Sequence, residues 1–85
     1  MTIPHNDRDV NVDINDAWAQ FRDEMESVGI QAPHGVHDGE MFRFPARNGK
    51  GRLKSKNGAF EFHSDGWPAG WYQNHGVTGV ITWFY

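Results

Sequence analysis

The 85-residue chain has no cysteine. That excludes a disulfide framework and the thiolate zinc sites that often staple domains this small, so a core of its own must hold it together. No apolar run approaches the roughly 18 residues of a membrane span. The opening MTIPHNDRDVNVD lacks the basic and apolar parts of a secretion signal, which points to the cytoplasm. Nucleophile candidates are scarce as well. Ser27, Ser55 and Ser64 are the only serines, and none has a nucleophile context. Glu40, Glu61 and Asp65 show no acid-base pairing that a sequence can establish. The expectation is a protein that is not an enzyme and needs no cofactor.

What is present is a single small domain, since a chain of this length leaves no room for a second core. Aromatics reach 14 %, too many for a disordered segment. Charge is unevenly divided. Residues 1–40 carry nine carboxylates against Arg8 and Arg22, a net of −7, whereas residues 41–85 carry six cations against Glu61 and Asp65, a net of +4. The second half is therefore the one suited to a polyanion.

Residues 1–12 are polar, aperiodic and contain Pro4, which predicts a flexible tail preceding a domain over 13–85. From Ile14 a helical stripe begins: Ile14, Trp18, Phe21, Met25 and Val28 recur at steps of four and three. Asp13 or Asn15 is placed to cap it, Asp16 adds negative charge to its first turn, and Gly29 can end it with Ile30 folding back on Met25. Such a stripe could be a partner-binding face, but five large apolar groups left wet would be costly, so packing on the protein's own sheet is expected. After the turn-rich connector Gln31–Gly39 the period drops to two. Phe42 and Phe44 alternate with Met41 and Arg43, Phe60 and Phe62 with Glu61 and His63, and Trp83 and Tyr85 flank Phe84. Ser64-Asp65-Gly66 predicts a hairpin between Ala59–His63 and Trp67–Gln73, and the turn Asn74–Gly79 leads to a last strand over Val80–Phe84. The fold class is α+β: one N-terminal amphipathic helix on a small antiparallel sheet of about four strands.

Between the first two strands, Arg47–Gly58 reads as a mobile basic loop holding five of the second half's six cations. Arg47, Lys50, Arg52, Lys54 and Lys56 can reach successive phosphates of a nucleic-acid strand, although the same residues are ordinary for a solvated hairpin tip. The Gly-Lys-Gly within it lacks the spacing of a phosphate-binding P-loop. Ten of the twelve aromatics follow Met41. Phe42, Phe44, Phe60 and Phe62 suit the core. One helix cannot cover both faces of a sheet, so some of Trp67, Trp71, Tyr72 and Phe84 are left to stack on bases. Trp71 and Tyr72 point to opposite faces, and one of them is expected outside. His34-x-x-His37 with Asp38, His63 and His75 has metal-ligand types, but the pair sits in a flexible connector, and no metal is expected.

The runs Phe21–Ile30 (FRDEMESVGI), Pro33, Asp38–Pro45 (DGEMFRFP), Lys56–His63 (KNGAFEFH), Asp65–Asn74 (DGWPAGWYQN), Thr78-Gly79 and Thr82-Trp83 resemble, in that order, the N-terminal domain of phage and plasmid primases and primase-helicases of the TOPRIM type. The resemblance covers about Asn15 to Trp83. It implies a mobile-element module that precedes a primase core and helps engage single-stranded template. The arrangement is also similar to the zinc ribbon of bacterial primases, without its cysteines, which implies that aromatic packing replaces the metal. Primer synthesis is not carried over. A different class of function, a small phage or plasmid protein that inhibits a host defence nuclease or another host protein, would use the acidic helix face as its contact.

Overall fold

A computed structural model describes residues 12–85. The expected tail thus lies outside the described residues except for Val12. Helix α1 spans Ile14–Ser27. The Asp13 carboxylate caps it by accepting from the Asn15 and Asp16 N–H groups at 2.9 and 3.3 Å. At the other end Gly29, at φ 91°, donates to Glu26 O, and Ile30 donates to Met25 O, both at 3.0 Å. This closing pattern, with Ile30 buried beside Met25, stops the helix as the sequence predicts.

Four strands follow: β1 Met41–Arg47, β2 Leu53–His63, β3 Ala69–Asn74 and β4 Ile81–Phe84. They form one antiparallel sheet in the order β1-β2-β3-β4. The register pairs Phe42 with Phe60, Phe60 with Tyr72, and Gly70 with both Phe62 and Trp83. These residues share one face, and α1 lies on it. Ala17, Trp18, Phe21 and Met25 of the helix are buried together with Phe60, Phe62, Tyr72 and Trp83. The Phe21 ring sits 5.0 to 6.0 Å from those of Phe60, Phe62, Tyr72, Trp83 and Trp18. That close approach requires Gly70, where an added Cβ would stand 2.3 Å from the Glu61 carbonyl oxygen and 3.2 Å from the tip of the Phe21 ring.

Two expectations are corrected. The segment Arg47–Gly58 is not a loop throughout, because β2 begins at Leu53 and pairs Lys54 with Ala46 and Leu53 with Arg47. Its strand character is invisible as a period because Leu53 to Lys56 are exposed throughout, so ladder pairing rather than burial holds them extended. A bulge between Phe44 and Ala46 absorbs the register change at Pro45, which has no N–H to offer. The connector Gln31–Gly39 has no regular structure but is tied down. The Trp18 indole donates to the His34 carbonyl at 2.9 Å, Gly39 N–H donates to Phe62 O at 2.8 Å, and the His37 ring stands edge-on to Phe42 and Phe44.

Among the described residues one polar residue is fully buried. Asn74 donates to the carbonyls of Val28 and Arg47, both at 2.7 Å, and accepts from the Asn57 amide at 2.9 Å. It thereby joins the end of α1, the end of β1 and the middle of β2, with each side-chain group satisfied.

Candidate nucleic-acid interface

The tip joining β1 to β2 is ordered by Asn48. Its side-chain oxygen accepts from the N–H groups of Lys50 and Arg52 at 2.9 and 3.0 Å, and its N–H donates to Arg52 O at 2.8 Å. Gly51 turns the chain at φ 79°, and the Arg47 guanidinium donates to its carbonyl at 3.0 Å. All five predicted cations are exposed: Arg47 at the end of β1, Lys50 and Arg52 in the tip, and Lys54 and Lys56 on β2. The hairpin therefore gathers them on one projecting, hydrogen-bonded element. A groove of about 460 Å³ at its base, lined by Arg22, Glu26, His34 and Arg47 among others, adds a second guanidinium beside Arg47; the Arg22–Glu26 pair at 2.9 Å balances one charge of each sign there.

The sheet face opposite α1 carries Met41, Glu61 and Trp71 in one cross-strand row, Arg43, Ala59 and Gln73 in the next, and His63, Ala69 and Phe84 in a third. Phe84 is 69 % exposed, Met41 47 %, and Trp71 is half-buried. The Trp71 indole N–H donates to Glu61 Oε1 at 3.1 Å while the other carboxylate oxygen lies 2.7 Å from His63 Nε2, so Glu61 fixes the indole against the sheet. The ring is held in place and half-buried.

Tyr72 does not belong to this surface. It is 2 % exposed, lies under α1, and donates its hydroxyl to Glu24 at 2.8 Å. Burial and that carboxylate push its phenol up to about 12. The alternation of β3 decides the matter: Tyr72 pairs with Phe60 on the core face, which leaves Trp71 as the outward neighbour. Trp67, although 53 % exposed, is engaged at the chain's end, where its ring lies 5.6 Å from that of Tyr85 and its indole donates to the Tyr85 carbonyl.

Cations and aromatics are not adjacent. Trp71 pairs with Glu61, five residues along β2 from Lys56, a separation of about 17 Å. Arg43 spans the interval. It is exposed, shares the open face with Trp71, and donates to the Lys56 carbonyl at 3.4 Å. The sequence does contain its signal, since Phe42 and Phe44 turned inward put Arg43 outward, but a lone arginine outside the cation-rich run is a weaker mark than the run itself.

The metal-ligand types are engaged elsewhere. Asp38 accepts from the N–H and hydroxyl of Ser64, His37 Nδ1 lies 2.9 Å from Gly35 O with its ring against the aromatic core, and His63 is held by Glu61. Among the described residues no three metal-ligating side chains converge. Neither a family model, nor a curated protein, nor a solved structure matches the chain.

Proposed function

We propose that the chain is a non-catalytic nucleic-acid-binding module of the mobile-element primase type, which engages single-stranded DNA weakly and with little sequence preference. The observation that carries this reading is a projecting hairpin with five exposed cations, continued by Arg43 onto an uncovered sheet face bearing Trp71 and Phe84. Lys and Arg side chains follow phosphates, and an exposed indole stacks on any base. The resemblance of the motif order to primase N-terminal domains supports the same reading and suggests a primase or helicase core as the companion. Work in the cytoplasm, without cofactor or metal, fits this role. Among the described residues no helix is long and apolar enough to cross a membrane, so a membrane partner is not invoked.

The acidic outer face of α1 repels a polyanion, which favours binding at the hairpin tip and the uncovered sheet face. That same face is what favours the second reading, an inhibitor that binds a host nuclease or other host protein. Much of it serves the fold, however: Glu24 holds Tyr72, Glu26 pairs with Arg22, and Asp16 accepts from the Tyr85 hydroxyl at 2.5 Å. Only a part is left for a partner.

Titrating a labelled single-stranded oligonucleotide with the protein at several salt concentrations tests the proposal. With three or four phosphate contacts the logarithm of affinity falls against log salt with a slope of about −2 to −3. No binding at about 20 mM salt, where such contacts are strongest, would discard the nucleic-acid reading in favour of the protein-binding one.

A further inference from the structure

The two edges of the sheet are treated differently. The end of β1 is covered: Ile30 bridges to Ala46, Gln31 N–H donates to Pro45 O at 2.8 Å, and Arg47 N–H donates to Gly29 O at 2.9 Å. Its first half carries Arg43, and an outward charge discourages strand addition. Strand β4 has neither defence. Among the described residues nothing pairs with its outer edge. The ten residues Gly76–Tyr85 contain no charged side chain and no proline, while Val80 and Phe84 are 61 % and 69 % exposed.

The register identifies which backbone groups are free. Tyr85 N–H donates to Pro68 O at 3.0 Å, and stepping by two along the same pairing makes Trp83–Gly70 and Ile81–Tyr72 the hydrogen-bonded pairs. The N–H and C=O groups of Thr82 and Phe84 therefore point away from β3.

We propose that β4 is a homodimerisation edge, joined to β4 of a second copy in antiparallel fashion about a two-fold axis at Trp83. Thr82 of each copy then exchanges hydrogen bonds with Phe84 of the other, so all four outward groups on each strand are satisfied. A second copy is the occupant that fits for three reasons. The pairing is self-complementary about one residue; the strand is uncharged, so a chain of net charge −3 meets itself without like charges at the contact; and with β1 defended, only one edge is open among the described residues, so association closes at two copies instead of running on into fibres. The result is a continuous sheet of eight strands in which Phe84 of one copy lies across from Thr82 of the other, one strand from its Trp71.

This proposal does not depend on nucleic-acid binding and is tested without nucleic acid. Sedimentation equilibrium of the full chain from about 10 µM to 1 mM reads the association. The average mass is expected to rise from 9.7 kDa toward twice that value. Over the same range, exchange of the Thr82 and Phe84 amides should slow at least about fivefold, while Ile81 and Trp83, bonded within one chain, stay protected throughout. Thr82→Pro removes an outward N–H without touching the inward ladder, and is expected to melt as a folded protein yet remain a monomer. Phe84→Lys leaves the backbone intact and is expected to weaken association at least tenfold, so the test survives if the proline variant fails to fold. A constant 9.7 kDa across the range, rapid exchange of both amides at every concentration, growth beyond two copies, or association unaffected by Phe84→Lys would each overturn the proposal.

Discussion

The two faces of the sheet are made from alternate residues of the same strands, and they hold their aromatic rings by different means. On the covered face Phe60, Phe62, Tyr72 and Trp83 are locked by Trp18 and Phe21 of α1, ring against ring. On the open face Trp71 is held by one hydrogen bond to Glu61, and Phe84 is 69 % exposed. The first face is stabilised by burial and is indifferent to what lies in solution. The second leaves Phe84 exposed and Trp71 half-buried. If this contrast is right, substitutions on the covered face affect melting, and substitutions on the open face affect binding.

The largest effect is expected from Phe21→Ala. Removing the ring at the centre of the cluster should cost about 3 to 5 kcal/mol, a large part of what so small a domain possesses, and a thermal melt should show the cooperative transition lost or sharply lowered. Trp18→Ala should behave alike. If either variant kept its melt and lost only binding, the covered face would not be the structural one. Asn74→Ala comes next. It strands the Val28 and Arg47 carbonyls inside the protein, and denaturant titration should read a loss of about 2 to 4 kcal/mol.

Tyr72 sharpens the comparison through pH. Its phenol is raised from 10.0 to about 12 in the folded protein, so below pH 10 both folded and unfolded chains carry the proton and the contribution is fully present. As pH climbs past 10 the unfolded chain ionises first, and stability is lost until the folded phenol also ionises near 12. The loss should be on the order of 2 kcal/mol, and Tyr72→Phe should remove that part of the alkaline slope. An unchanged alkaline slope in the phenylalanine variant would show that burial and the Glu24 contact do not raise the phenol.

On the open face Trp71→Ala should weaken oligonucleotide binding by about 1 to 3 kcal/mol, leave the salt slope alone and shift the melt little. The smallest effect belongs to the hairpin. Lys54→Ala with Lys56→Ala should flatten the salt slope by about 1.4, two contacts of about 0.7 each, and leave the melt in place because both side chains are exposed. Binding that ignored these changes would remove the open face and hairpin from the interface together.

The core was legible in the sequence because burial leaves a period. Ile14, Trp18, Phe21, Met25 and Val28 announce a helix face, Asp13 and Gly29 its ends, and Phe42, Phe44, Phe60 and Phe62 the inward side of two strands. Each signal is local, set by residues within a turn or two of one another, and the helix, β1, the second half of β2, β3 and β4 appear close to where those signals put them. The first half of β2 left no such mark, since a strand wet on both sides has no reason to alternate. Trp71 and Tyr72 are adjacent rings of similar character, and only the pairing of Tyr72 with Phe60 decides which is buried. The role of Asn74 could not be read from a turn sequence, because its partners lie 46 and 27 residues away. Which residues are apolar, capping or cationic is thus a property of the chain. Which edge of the sheet is left open, and which ring is left outside, depends on contacts between distant segments, and only the folded structure brings those segments together.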